Sequence, residues 1–280
     1  GGVANGWEHT WTFDVTDFAP ILKDSVAIDA FYGGWQDGFL ISIDFDMIEG
    51  TPARDPIKVN NIYHSGGGGF KYGDAADPIE NYLVPVDVDV DPSTVYSKMY
   101  FTATGHSFGG NENCAEFCAK TYTLNMDGNN VGSNLIWKDD CGWNPIHPQG
   151  GTWLYDRGGW CPGDKGIRWE HETSASTVAG TTQTIDIDMQ SYTYTGGASF
   201  HPNYIMEGQF IEFTGANFQN DVEVYNITAP NNDYNYSRFN PICGPAKVTI
   251  RNGGEQPLTS CTITYYVVGG AYKTFEWTGN

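Results

Sequence analysis

Apolar and polar residues alternate along much of this chain, which is the pattern of strands with one buried face. Within residues 40–46, for example, Ile41, Ile43 and Phe45 alternate with Ser42, Asp44 and Asp46. The same alternation and the Gly-rich turns between segments predict strands at residues 10–15, 25–31, 39–48, 83–90, 96–104, 120–125, 184–194 and 204–214.

Helical periodicity is nearly missing from the sequence. Residues 17–22 are predicted to form a short helix, and no longer segment repeats its apolar residues every 3.6 positions. Many short strands with long connections favour jelly-roll or Greek-key β-sandwiches over a simple meander. The chain is therefore predicted to be all-β.

Breaks in the strand pattern predict three domains. Two prolines interrupt residues 50–56, and the alternation restarts after residues 216–221. The predicted domains are residues 1–56, 57–218 and 219–280. The last contains strand-like segments at 222–228, 246–253, 258–267 and 273–277, typical of part of an immunoglobulin-like sandwich. The first and last have too few strands to close a sandwich, so strands from another chain or segment are expected to complete them.

Composition narrows the class of partner. The 280 residues include 14 basic and 34 acidic side chains, for a net charge of −20. This charge repels nucleic-acid phosphates and anionic lipid headgroups. No apolar run approaches the roughly 20 residues of a membrane-spanning helix. Neutral ligands such as glycans, and calcium ions, remain compatible with the charge; nucleic-acid binding and direct membrane insertion are not expected.

The six cysteines predict disulfides and an oxidising compartment. None of them forms a CxxC pair beside a second such pair, so zinc is the weaker interpretation. Three disulfides in a secreted or cell-surface protein fit better. The first residues have no signal-peptide pattern, which is expected of a mature or processed chain.

Three motifs in the central part resemble the peptide-N-glycosidase F family, mainly its second jelly-roll domain. They are a Cys-Ala-Glu-Phe-Cys box at residues 114–118, a Cys-Gly-Trp-Asn-Pro segment at 141–145 and an Asp-Arg-Gly-Gly-Trp-Cys-Pro-Gly box at 156–163. Weaker similarity extends the resemblance to about residues 7–216. It implies that residues 1–56 form the second half of a first jelly roll and residues 57–218 a second one. The tail resembles the beginning of an immunoglobulin-like module of secreted bacterial surface proteins.

The resemblance implies hydrolysis of the amide between an N-linked glycan and asparagine, with Glu116 as the acidic residue of the second domain. It also implies Cys114–Cys118 and Cys141–Cys161 disulfides; neighbour order then pairs Cys243 with Cys261. The family's essential aspartate precedes the region of similarity. A second family glutamate is Gly33 here, and a family tryptophan is Thr104. Little activity is therefore expected from these residues alone.

The chemistry of each residue supports a role and leaves an alternative. Glu116 can act on a water or a sugar from a tightly closed loop, or simply bond its own backbone. Arg157, after Asp156, can contact a sugar or pair with Glu116. His106 can bind a sugar hydroxyl. The substrate-binding candidates are Arg157, His106, Trp35, Trp160 and Asp156; the tryptophans, including Trp143 and Trp153, are alternatively core residues.

Metal and cofactor chemistry is not indicated. Asp87, Asp89 and Asp91 alternate on one strand face, where a solvated acidic surface is favoured over a calcium site. The predicted function is a secreted amidase acting on N-glycoproteins once upstream sequence completes it. The alternative is a non-catalytic module of the same fold for glycan binding, adhesion, surface display or a filament.

Overall fold

The computed structural model describes residues 6–31, 40–144, 146–197, 201–232, 237, 240 and 244–279. Strands dominate these residues, and the other regular segments are short 3-10 turns. In chain order the strands are β1 (Arg54–His64), β2 (Phe70–Lys71), β3 (Val86–Asp89), β4 (Tyr96–His106), β5 (Lys120–Met126), β6 (Asn129–Ile136), β7 (Arg168–Glu172), β8 (Thr182–Met189), β9 (Asn203–Ala216), β10 (Val222–Ala229), β11 (Lys247–Asn252), β12 (Ser260–Tyr265) and β13 (Lys273–Thr278).

Two sheets form the sandwich of the larger compact unit, residues 1–45 and 56–213. One sheet has the order β1-β9-β4-β7, with β2 also paired to β9; the other has the order β3-β8-β5-β6. Strand β4 pairs antiparallel with β9 over its whole length, from Tyr96↔Phe213 to His106↔Asn203. In both sheets most neighbouring strands are distant from each other in sequence, as in a jelly roll.

Alternating residues of the facing strands fill one core between the sheets. On β5 and β8 every second residue is buried, and from β4 Met99, Phe101 and Ala103 point into the same cluster. Each large apolar side chain buried in this way contributes about 1.5–3 kcal/mol. The predicted all-β sandwich fold is confirmed.

The outer face of the five-stranded sheet carries a second, smaller cluster. Tyr100, Ile211 and Phe213 pack there with Phe18. Asp17 pairs with Lys98 at 2.9 Å and accepts a hydrogen bond from Tyr100. The predicted helix at 17–22 is therefore wrong in length: the structure has a 3-10 turn at Thr16–Phe18. Proline at position 20 explains the early end, because it has no amide hydrogen to donate to the carbonyl of the preceding turn.

The predicted strands at 10–15, 25–31 and 40–48 are also wrong, and residue 39 lies outside the described residues. These segments alternate in sequence, but within the described chain they join no sheet. Ile41, Ile43 and Phe45 remain exposed. A strand requires a neighbour that takes up its backbone hydrogen bonds, and the described residues provide none here.

Four strands appear where the pattern gave no signal, one of them the two-residue β2. β6 and β7 are rich in polar and charged residues and lie at the ends of their sheets. β1 runs through Pro56 at the opposite end of the sheet that contains β7, a position where a missing amide hydrogen is tolerated. The remaining predicted strands of this unit are found with shifted ends.

The second compact unit comprises residues 46–55 and 214–280. In its described residues β10 pairs antiparallel with β11, and β12 with β13. These strands overlap the four segments predicted from alternation. The immunoglobulin-like identity of the tail and the three-domain division stay predictions. No helix in the described parts of the chain is long and apolar enough to cross a membrane.

Candidate functional site

Two loops of the sandwich bring the predicted site residues together. The loop between β4 and β5 carries Glu116 and is closed by the Cys114–Cys118 disulfide, with a Cα–Cα distance of 4.8 Å. The loop between β6 and β7 carries Arg157 and contains the Cys141–Cys161 disulfide. Both predicted pairings are confirmed.

The third predicted pairing stays a prediction. Cys243 lies outside the described residues, and Cys261 forms no disulfide within them. Peptide mapping without reduction is the direct measurement of this pair.

Backbone hydrogen bonds hold Glu116 between the two loops. Its amide donates to the Ser107 carbonyl at 3.0 Å, and its own carbonyl accepts from Gly158 at 2.8 Å. Gly105 in turn donates to the Gly158 carbonyl at 2.8 Å. The carboxylate therefore projects from a backbone fixed on both sides.

Two glycines allow the loops to approach this closely. A Cβ at Gly105 would lie 2.2 Å from the Ala115 carbonyl oxygen, and a Cβ at Gly158 would lie 2.7 Å from the same atom. Since a carbon cannot approach a backbone oxygen so closely, any larger residue would displace the disulfide loop. The sequence gave no separate signal for these positions.

We expect Gly105→Ala to lower the free energy of unfolding by about 1–3 kcal/mol, the usual range for overpacking a buried site. Chemical denaturation measures this. Gly68→Ala is the matched control, because a Cβ there meets no atom within 4 Å. Equal stability of both variants would show that the loop yields without cost.

The side chains of Glu116 and Arg157 form an ion pair. Arg157 Nη1 donates to Glu116 Oε1 at 2.7 Å, and the two side chains are 3% and 15% exposed for arginine and glutamate respectively. Arg157 also donates to the carbonyls of Thr152 and Tyr155. Of the two alternatives for Arg157, the structure contains the contact with Glu116.

Burial and pairing act in opposite directions on Glu116. Removal from water raises the pKa of the carboxyl, and the Arg157 charge lowers it, with burial the larger cause. Burial also acts on Arg157, where it lowers the pKa of the guanidinium because it disfavours the charged form. A carboxyl with a raised pKa is suited to exchange a proton in the pH range where most glutamates are simply ionised.

Aromatic rings enclose the Arg157 guanidinium. Its central carbon lies 4.9 Å from the centroid of Phe117 and 4.9 Å from that of Trp160. Trp160 is fixed in turn, because its Nε1 donates to the Gly105 carbonyl at 2.7 Å. Trp160 thus packs beside the ion pair.

His106 packs against Trp160, with ring centroids 4.8 Å apart. Its Nε2 is 2.8 Å from Thr104 Oγ1. Burial, together with the nearby Arg157 charge, lowers the pKa of His106 to about 4. The imidazole is therefore neutral near pH 7 and can both donate and accept hydrogen bonds.

The remaining candidates are placed differently. Asp156 Oδ1 accepts a hydrogen bond from the Cys141 amide at 3.3 Å, so its contact is with the second disulfide. Trp35 and Gly33 lie outside the described residues. Phe117, Phe108 and Tyr155 were not predicted, although the Cys-Ala-Glu-Phe-Cys box places Phe117 next to Glu116.

The acidic strand β3 and the residues after it do not form a metal centre in the structure. Asp87 and Asp89 each accept a hydrogen bond from a threonine hydroxyl of β8, and Asp91 accepts two from Ser93. Across the described residues no group of three or more His, Cys, Asp or Glu side chains could hold a metal ion.

A jelly-roll sandwich with a carboxylate held in a disulfide-closed loop against a buried arginine defines the class of this protein. The family model described as "Peptide-N-glycosidase F, C terminal" matches residues 72–209, which include every described member of the site. Residues 72–209 of the chain therefore match the peptide-N-glycosidase F-like family.

Known relatives agree with this assignment. The chain is 28% identical over 195 residues to peptide-N(4)-(N-acetyl-beta-D-glucosaminyl)asparagine amidase F of Elizabethkingia miricola, covering 65% of this chain and 53% of that protein. The solved structure of PNGase F, a glycosylasparaginase from Flavobacterium meningosepticum, matches with a TM-score of 0.50 at 23% identity, over 56% of this chain and 51% of that one, and shows the shared fold. The chain spans about half the length of these relatives.

Proposed function

We propose that this protein takes part in hydrolysing the amide between an N-linked glycan and asparagine, with Glu116 as the acid-base group. The observation that carries the proposal is the 2.7 Å contact between Arg157 and Glu116 in a loop fixed by a disulfide. The catalytic relatives support the choice of reaction. Disulfides and an extracellular glycoprotein substrate support a secreted or cell-surface location.

The geometry suits the two demands of amide hydrolysis. A water must be made nucleophilic, and the leaving nitrogen must receive a proton. Arg157 occupies Glu116 Oε1, so Oε2 is the oxygen available to a water or to the hydroxyl of the first sugar. Neutral His106 and the face of Trp160 are positioned to bind a sugar through its hydroxyls and its C–H groups.

One carboxyl group is not sufficient for this mechanism. Stabilising the developing charge and protonating the nitrogen each contribute orders of magnitude in rate. We therefore propose that a further carboxylate, supplied by a segment that also completes the first jelly roll, faces Glu116 in the active protein. The apolar side chains that alternate along residues 40–48 are exposed, which supports a further segment that would cover them.

The test is incubation of the 280-residue chain, and of a form extended upstream, with a denatured N-glycoprotein. The extended form should convert the glycosylated asparagine to aspartate and release the intact glycan, while the shorter chain should do so slowly or not at all. Mass spectrometry of the peptide distinguishes this from cleavage between sugars, which leaves one sugar on asparagine. Inactivity of both forms would contradict the proposal.

The alternative is a glycan-binding module without catalysis. It is favoured by Thr104, which stands where the family has a tryptophan and bonds His106 instead. This module would bind free chitobiose, the disaccharide at the base of N-glycans, without hydrolysing any glycopeptide. Binding by an extended form that remains inactive would establish it.

A further inference from the structure

Three aromatic side chains that meet at Phe117, beside Arg157, form an exposed surface, here called the aromatic lip: Phe108, Phe117 and Tyr155. Phe108 is 58% exposed and Tyr155 is 56% exposed. Their rings pack on half-buried Phe117 at centroid distances of 5.2 and 6.4 Å, steeply inclined to it in both cases. Exposed aromatic surface of this kind next to a polar site is typical of ligand contact.

The Arg157 guanidinium contacts two chemically different groups of side chains. One is the lip, through Phe117; the other, here called the Trp160 side, is Trp160 with His106 and Thr104. The Trp160 side has imidazole and threonine groups that can exchange hydrogen bonds with hydroxyls. The lip has a single polar group, the Tyr155 hydroxyl. A substrate bound at Glu116 therefore meets a polar side and an apolar side.

The two parts of a glycosylated asparagine differ in the same way. A glycan is covered with hydroxyls, which lose free energy when they leave water without hydrogen-bond partners. The polypeptide beside the asparagine can present apolar side chains, which gain free energy on an aromatic surface. The sugar matches the Trp160 side, and an apolar residue next to the asparagine matches the lip.

We propose that the aromatic lip binds the polypeptide part of the substrate and selects glycosylated asparagines that have a large apolar residue beside them. This inference rests on the proposed function, and it defines the preferred substrate by the residue beside the glycosylated asparagine.

The experiment measures Kd by calorimetry for the full 280-residue chain with three ligands. Two are N-glycopeptides that carry the same chitobiose and differ only in having leucine or serine beside the asparagine; the third is free chitobiose. We expect the leucine peptide to bind about tenfold tighter than the serine peptide, a difference of about 1.4 kcal/mol.

Variants assign this difference to the lip. Phe108→Ser combined with Tyr155→Ser should remove the preference for leucine and leave the affinity for chitobiose unchanged. Leu135→Ser is the matched control, because Leu135 is an equally exposed apolar residue on β6 outside both loops. It should keep the preference. Tyr155→Ser alone, with about half the effect, serves if the double variant fails to fold.

The results that would contradict the lip differ from those that would contradict the proposed function. Equal affinity for the two glycopeptides together with chitobiose binding would overturn the lip and leave the proposed function standing. A lip variant that loses chitobiose as strongly as glycopeptide would make the lip a sugar site and overturn the inference. No binding of any of the three ligands would count against the proposed site as well.

Discussion

We expect Glu116→Gln to lower kcat for glycopeptide hydrolysis at least about a hundredfold in a form of the protein that is active. Glutamine keeps the shape of the side chain and can still accept a hydrogen bond from Arg157, but it neither ionises nor transfers a proton. General acid-base groups contribute about a hundredfold to ten-thousandfold in rate. KM should change little, because the contacts that hold the glycan are unaltered. Steady-state kinetics on a labelled glycopeptide measure both constants.

The control for this variant is Glu112→Gln in the same loop. Glu112 is half exposed and pairs with Lys120 at 2.8 Å rather than with Arg157. It should retain its activity, which shows that a loss at Glu116 does not come from charge removal in the loop as such. A Glu116→Gln protein as active as its parent would assign Glu116 to structure.

The pH dependence follows from the direction of the Glu116 shift. Because burial raises the pKa of Glu116, the group stays protonated to higher pH than an exposed glutamate. If the ionised form activates water, activity should rise with pH through that raised pKa. A rising limb at the ordinary pKa of an exposed glutamate would indicate that a different group is titrating.

The sequence predicted the disulfide that closes the loop around Glu116, because the parts of this loop are close together in the chain. Glu116 lies between two cysteines four positions apart, and a five-residue loop leaves little freedom for the carboxylate. Arg157 was predicted with two possible partners, and only the fold decides that it meets Glu116 across 41 positions of sequence. Contacts between loops of different strands cannot be obtained from spacing alone.

The same limit explains what the sequence missed. Phe108 and Tyr155 are ordinary aromatic residues in their own loops, and their significance appears only where both meet Phe117. The polar strands β6 and β7 carry no alternation, since end strands of a sheet bury less of their surface. Conversely, residues 40–48 alternate clearly and still form no strand, because pairing depends on a neighbour.

The ion pair joins the site to the stability of the fold, and Arg157→Met tests that connection. Methionine approximates the length of the arginine stem and can still pack against Phe117 and Trp160, but it leaves Glu116 without its charge partner and two backbone carbonyls without a donor. Removing one partner of a buried pair costs about 3–5 kcal/mol in the free energy of unfolding. Urea denaturation near neutral pH should show a loss of this size.

The pH dependence of that loss distinguishes the ion pair from general packing. In the variant only burial acts on Glu116, so its pKa rises further than in the parent. A protonated carboxyl needs no positive partner, so the destabilisation should be largest above this pKa and should shrink as the pH falls through it. Arg168→Met is the control: this exposed side chain lies over Tyr100 at 4.1 Å, away from Glu116, and its replacement should cost little at any pH. A loss at Arg157→Met that stays constant from acid to neutral pH would mean that the arginine stabilises the loops through its carbonyl and ring contacts alone, and that Glu116 is not held by its charge.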